Sequence, residues 1–295
     1  MREINLKTVK LANGETLGYR ERDGGEDVLL LIHGNMTSSK HWDLVLEALP
    51  ENIKVYAVDL RGFGISTYNK PIETIKDFSD DVQQFVDALG IEDFSLSGWS
   101  TGGAVAMQYT VDYPKAVNKI ILLASASTRG YPFYSVNAFG QQVRLTKKEE
   151  ILKDITKTIP VLHAYQNRDK LFLRNMWDLV IYNNNKPDSV RYDDYLEDML
   201  TQRNLVDVYQ ALNLFNISGN HNGINEGTNQ VKSIKVPTLV LWGEKDLVVT
   251  EKMTKEIIKD LGENAKLMVL RNCGHSPLID DLDQLVNEMV TFLNE

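Results

Sequence analysis

Residues 93–103, Asp-Phe-Ser-Leu-Ser-Gly-Trp-Ser-Thr-Gly-Gly, leave the backbone few options. Residues 93–97 alternate as a short strand does, and residues 104–113 carry apolar Val105, Met107 and Tyr109 in a helical stretch. Between them the chain must reverse within Gly98-x-Ser100-x-Gly102. A turn that tight strains its dihedrals and brings strand and helix backbones together, which the small residues at 98, 102 and 103 accommodate. Ser100 is left at the tip with its Oγ exposed, and the free N–H groups of the helix start point toward it. The pattern is that of a nucleophile elbow, a place where negative charge on a reacting oxygen can be stabilised.

The flanking chain repeats the same strand–helix rhythm. Asn13-Gly14 is a hairpin signal between strands at 7–11 and 16–20. Residues 27–32 (Asp-Val-Leu-Leu-Leu-Ile) and 53–60 are near-continuous apolar runs, as expected of parallel strands buried on both faces. Helices are expected at 41–49, at 78–89 with Asp77 as N-cap, and at 104–113, with a further strand at 119–124. After a long interruption the rhythm resumes: strand 238–242, helix 251–261, strand 265–270 and a final helix 278–294. This order predicts an α/β protein with a mostly parallel central sheet and helices on both faces. The interruption, residues 125–235, reads as helical at 147–159, 169–182 and 192–214, with 216–229 as an Asn/Gly-rich return loop. It is expected to be a helical cap inserted into a core made of residues 1–124 and 236–295, with its two ends close together at one sheet edge.

Composition narrows the partners. A net charge of −9 without a Lys/Arg stripe argues against nucleic acid and anionic membrane. Residues 1–7 lack the apolar segment of a signal peptide, and no apolar run reaches the roughly 18 residues of a membrane span. Asn35-Met36-Thr37 and Asn216-Ile217-Ser218 fit the glycosylation pattern, but a glycan at the first would block the site argued below, so a cytoplasmic location is expected. One cysteine excludes an internal disulfide. His41, His163 and His221 show no ligand spacing, and neither a metal nor a cofactor is expected.

A serine nucleophile needs a base, and the base an orienting acid. Asp246 follows the strand 238–242 and His275 follows the strand 265–270, so in a parallel sheet both stand at the same edge as Ser100. The loop after residues 119–124, another seat for the acid, holds no carboxylate. Developing negative charge on the substrate oxygen would be met by the backbone N–H of Thr101 and, from the loop His33-Gly34-Asn35, that of Asn35. Asp59 is assigned to organising the Arg61–Gly64 turn and His33 to shaping its loop. Cys273 is read as a packed thiol. The aromatics Tyr131, Phe133, Tyr134, Phe139, Trp177 and Tyr182 belong either to the cap's core or to a wall against an apolar substrate.

These residues carry a family resemblance. His33-Gly34, Asp59-x-Arg61-Gly62-x-Gly64-x-Ser66, Gly98-Trp99-Ser100-Thr101-Gly102-Gly103, Trp242-Gly243-x-x-Asp246 and Gly274-His275 resemble the α/β-hydrolases, in the order Ser, Asp, His of that family. Residues 33–40 (His-Gly-Asn-Met-Thr-Ser-Ser-Lys) together with Gly98-Trp99-Ser100-x-Gly102-Gly103 are most similar to intracellular short-chain polyhydroxyalkanoate depolymerases. Those carry Met where this chain has Thr101, a difference that bears on pocket shape, since only the backbone N–H acts there. The resemblance implies a serine hydrolase of carboxylic esters working through an acyl-enzyme, on poly(3-hydroxybutyrate) or its oligomers. Lactones and small monoesters are alternatives within the class. Cofactor-free peroxidation, carbon–carbon bond hydrolysis and a hydrolase-fold signal receptor are alternatives outside it.

Overall fold

A computed structural model describes residues 3–295; of the amino-terminal segment discussed above, Met1 and Arg2 lie outside it. The described residues form ten strands: β1 (Ile4–Lys10), β2 (Thr16–Arg22), β3 (Asp27–Ile32), β4 (Ile53–Val58), β5 (Phe94–Trp99), β6 (Val117–Leu123), β7 (Tyr134–Val136), β8 (Gln142–Arg144), β9 (Thr238–Gly243) and β10 (Ala265–Leu270). Eight of them make one sheet in the order β1-β2-β4-β3-β5-β6-β9-β10. The β1–β2 hairpin, turned at Gly14 (φ 92°), pairs antiparallel, β2 joins β4 antiparallel, and every later pair is parallel. The apolar run of β3 sits mid-sheet, and Leu29, Leu30, Leu31 and Ile32 are fully buried.

Helices α1 (Asp43–Ala48), α2 (Ile75–Leu89) and α3 (Thr101–Asp112) connect the first half of the sheet. α2 begins a turn earlier than the sequence predicts. Thr74 is its N-cap, and Asp77, expected there, stands three residues on and accepts the Thr74 N–H at 2.8 Å, closing a capping box. Between β6 and β9 come α4 (Lys148–Leu152), α5 (Thr158–Asn167), α6 (Lys170–Val180), α7 (Ser189–Met199) and α8 (Leu205–Leu214). The chain closes with α9 (Glu251–Leu261), α10 (Pro277–Asp280) and α11 (Leu282–Asn294). No described helix is long and apolar enough to cross a membrane.

The segment between β6 and β9 departs from expectation in three ways. The helix expected at 147–159 is two, because the Asp154 carboxylate takes the N–H groups of Lys157 (2.7 Å) and Thr158 (3.2 Å) and starts α5 afresh. The helix expected at 192–214 breaks at 200–204, and the β7–β8 hairpin is an unexpected strand pair. Its outer ends are not together either: β6 and β9 run parallel, so residues 125 and 235 lie at opposite edges of the sheet. The chain meets itself further in, where Tyr131 N–H donates to Leu212 O at 2.9 Å and Ile217 N–H to Thr128 O at 2.9 Å. Residues 132–211 are thus the excursion, and the rest returns across the sheet. In that return the asparagines brace turns, Asn216 Nδ2 donating to Asn220 O and Asn225 Nδ2 to Leu214 O.

Each face of the sheet has its own core. Phe78, Val82 and Phe85 of α2 and Val105 and Met107 of α3 fill one, joined by Val208 and Leu212 of α8. Trp42 just before α1, Val45 and Leu46 of α1, and Leu285, Met289 and Phe292 of α11 fill the other. That second cluster continues into Val161, Leu173, Trp177, Tyr195 and Leu196 of α5, α6 and α7.

Candidate active site

Ser100 alone makes the turn from β5 to α3, at φ 56° and ψ −114°, a backbone that costs a non-glycine residue about 1–3 kcal/mol. Its N–H donates to Leu123 O at 2.9 Å and its carbonyl accepts from Ala126 N–H at 3.1 Å, so the end of β6 and the loop after it hold the turn from both sides. The closeness of strand and helix requires glycine: a Cβ on Gly98 would lie 2.2 Å from the Gly102 carbonyl oxygen. Another on Gly103 would lie 2.0 Å from Ser125 Oγ.

The structure brings His275 and Asp246 together at the same edge. His275 Nδ1 lies 2.9 Å from Asp246 Oδ2 and 3.1 Å from Oδ1, both side chains nearly closed to solvent. Asp246 Oδ1 also accepts the N–H groups of Val248 (2.7 Å) and Val249 (2.9 Å), which fixes the carboxylate's plane. A carboxylate facing Nδ1 keeps the proton there and leaves Nε2 as the acceptor nitrogen. The loop is pinned too: Trp99 Nε1 donates to the His275 carbonyl at 2.8 Å, the two rings 5.9 Å apart. Asp280 accepts the Gly274 N–H at 2.6 Å.

Opposite lies the loop after β3. Leu60 N–H can only donate, so His33 Nε2, 3.0 Å away, accepts, and the His33 proton sits on Nδ1, donating to Gly34 O at 2.7 Å. Burial pushes the His33 pKa down, against the pull of the Asp59 carboxylate. Thr37 Oγ1 donates to the same Gly34 oxygen at 2.9 Å. A peptide's C=O and N–H point opposite ways, so pinning the Gly34 carbonyl inward turns the Asn35 N–H outward. Thr101 is the first residue of α3, and its N–H is one of the helix's unpaired donors. Asp59 is spent on the turns, accepting Ser39 N–H at 2.8 Å and Ile65 N–H at 3.0 Å.

Ser100, Thr101, Asn35 and His275 line one cavity of about 590 Å³. Its other walls are mostly apolar, including Met36, Phe172, Met176, Trp177 and Val180, and it opens at Leu179 and Leu247, which are 71% and 62% exposed. The aromatics in question divide between the two roles left open. Tyr131, Phe133 and Trp177 face the cavity, Tyr182 is packed in the core, and Tyr134 and Phe139 are exposed. Cys273 is fully buried, its thiol pushed up to about 12 by burial and then by Asp280 and Asp281, and it does not line the cavity.

The family model described as the alpha/beta hydrolase fold matches residues 27–282. The chain belongs to this family. Lipase 3 of Moraxella sp. (strain TA144) is 25% identical, with 98% of this chain and 85% of that protein covered. Human monoacylglycerol lipase ABHD6 is 26% identical over 93% of this chain and 77% of its own length. The crystal structure of a putative lipase from Acinetobacter baumannii AYE superposes with a TM-score of 0.76 at 24% identity, covering 98% of this chain and 91% of that one, a likeness of fold. Within this α/β-hydrolase, sequence reasoning missed Gln202, which reaches Asn35 from the excursion, and its own partners Asn204 and Tyr165. Gln202 and Asn204 stand between α7 and α8 and Tyr165 on α5, and none carries a signal of what it touches across the fold.

Proposed function

We propose that this α/β-hydrolase cleaves carboxylic esters with Ser100 as nucleophile, His275 as base and Asp246 as the acid that orients it. The observation that carries the reading is the strained Ser100 turn sharing one cavity with a His275 whose Nδ1 is held by a buried carboxylate. His275 takes the Ser100 proton as Oγ attacks the carbonyl, and then gives it to the departing alcohol. The Asn35 and Thr101 N–H groups receive the oxyanion, each worth roughly 10²–10³ in rate. Water, activated by the same His275, releases the acid. Residues 132–211 act as the cap that walls the acyl group.

The apolar lining suits an acyl chain of short to medium length, and the exposed rim at Leu179 and Leu247 supports entry of a chain that continues outside. Among such substrates, the resemblance of residues 33–40 and the elbow favours 3-hydroxybutyrate oligomers or polymer. A lipid monoester is the second reading, favoured by the lipase names of the relatives together with the apolar walls.

The test has two arms. Ser100→Ala should fold normally and lose ester turnover by about 10⁶, and a fluorophosphonate should label the native protein at Ser100 alone. A tenth of native activity in the variant would remove Ser100 from the mechanism. Amorphous polyester granules, hydroxybutyrate oligomers, monoacylglycerols and p-nitrophenyl esters assayed side by side then decide the substrate. Turnover of monoacylglycerol with inert granules and oligomers overturns the polyester reading and leaves the mechanism intact.

A further inference from the structure

Three side-chain amides in a row can be oriented here without ambiguity, because the row ends on a backbone carbonyl. Asn204 Nδ2 lies 2.7 Å from Arg61 O, which can only accept, so the Asn204 amide nitrogen faces Arg61 and its oxygen faces the other way. That oxygen lies 2.9 Å from Gln202 Nε2, which must therefore be the donor. The second hydrogen of Gln202 Nε2 goes to Asn35 Oδ1 at 2.8 Å, and Gln202 Oε1 accepts from Tyr165 OH at 2.9 Å. Gln202 and Asn204 are 5% and 1% exposed, so water does not compete for these bonds. The Asn35 oxygen is thus turned toward Gln202 and its NH₂ away from it. Asn35 is half-buried against the cavity that holds Ser100, and its Nδ2 has no acceptor among the described residues. The neighbouring Gly34 passes so close that a Cβ on it would lie 3.2 Å from Ser100 Cβ.

We propose that Asn35 binds the reacting ester group with its side-chain amide as well as its backbone N–H, and that Gln202 is the positioning residue that presents the NH₂. This rests on the serine-hydrolase reading above and assigns it a further donor, held in place by the cap. Because charge builds on the ester oxygens during attack, the contact strengthens in the transition state and acts on kcat. The cap then does more than wall the acyl group: through Gln202 it sets which end of an amide the substrate meets.

The test compares four variants of the full chain on p-nitrophenyl butyrate, after native turnover and its loss in Ser100→Ala have been established. Asn35→Leu keeps the backbone N–H and removes the amide, and should lower kcat by roughly 10² with KM moved far less. Gln202→Glu offers only acceptors, so it draws the Asn35 NH₂ toward itself and turns Oδ1 to the substrate. Its kcat should fall by a similar factor. Gln202→Leu frees the amide to rotate and should cost less than Gln202→Glu. The double variant Gln202→Glu/Asn35→Leu should be no slower than Asn35→Leu alone, since orientation is moot once the amide is gone. A purely structural Gln202 would instead lower the melting temperature and multiply the two losses. Asn35→Leu within twofold of native kcat, or multiplied losses in the double variant, overturns the proposal. If Gln202→Glu does not fold, Asn35→Leu alone decides. A native protein that turns over esters without labelling at Ser100 would fail the underlying mechanism, an outcome separate from these.

Discussion

Asp246 uses its two carboxylate oxygens differently, and that makes its amide variant informative. Oδ1 accepts two backbone N–H groups, from Val248 and Val249, so an asparagine there must keep its oxygen on that side. Its NH₂ would then face His275 Nδ1 and force that nitrogen to accept. The His275 proton would move to Nε2, the nitrogen that receives the Ser100 proton in the mechanism proposed above. Asp246→Asn should therefore keep the fold and lose about 10⁴ in kcat on p-nitrophenyl acetate. A variant within tenfold of native would place the acid elsewhere. Residues such as Asp246 were legible in the sequence because a strand end followed by a carboxylate is a local pattern. Gln202 was not, because its partners Asn35 and Tyr165 reach it only when distant parts of the chain meet.

Among the elements, α6 and α7 divide the work of the excursion. α7 is strapped to the segment after β3: Ser38 Oγ donates to Asp198 at 2.6 Å, Lys40 Nζ lies 3.1 Å from Asp194, and Tyr195 and Arg191 both bind Asp43. α6 instead gives Phe172, Met176, Trp177 and Val180 to the cavity, with Leu179 at its rim and Leu171 exposed outside. Acyl-chain length should thus be set by α6. Trp177 is a poor probe of this, being 3% exposed and part of the core, where truncation costs about 3–5 kcal/mol. Met176→Trp fills the cavity from its wall. It should lower kcat/KM for an octanoyl ester at least tenfold relative to the acetate, within the roughly 1–3 kcal/mol that a methylene-scale change in a pocket commands. Equal effects across the ester series would mean that the acyl chain lies elsewhere. The breaks flanking these helices were hidden in the sequence. Each break is a short, mostly polar stretch, and helical patterns on either side run up to it; what interrupts them is the Asp154 carboxylate on the Lys157 and Thr158 N–H groups and, at 200–204, the Arg203 N–H, which goes to Gly62 O at 2.9 Å.

The molecule as a whole shares its core across the excursion, since α5, α6 and α7 continue one face's cluster and α8 the other's. Strand–helix rhythm revealed the parallel sheet, but not this sharing, because periodicity says which side of an element is apolar and nothing about what covers it. Deleting residues 132–211 would strip Trp177 and Tyr195 from the buried His41 ring, so the excursion is better tested by substitution than by removal. Thermal unfolding should be one event, with far-UV circular dichroism and tryptophan emission tracing the same transition. A separate early step in emission would mean that the excursion melts alone. The indole of Trp99, bonded to the His275 carbonyl and 5.9 Å from its ring, also gives the site an optical voice. His275→Asn keeps the loop backbone and changes the ring packed beside that indole, so the native emission should change while the far-UV spectrum does not. Unchanged emission in the variant would mean that Trp99 does not report on the site. With that signal present, an occupant that displaces the His275 ring can be followed by light in the resting protein, with no substrate turned over.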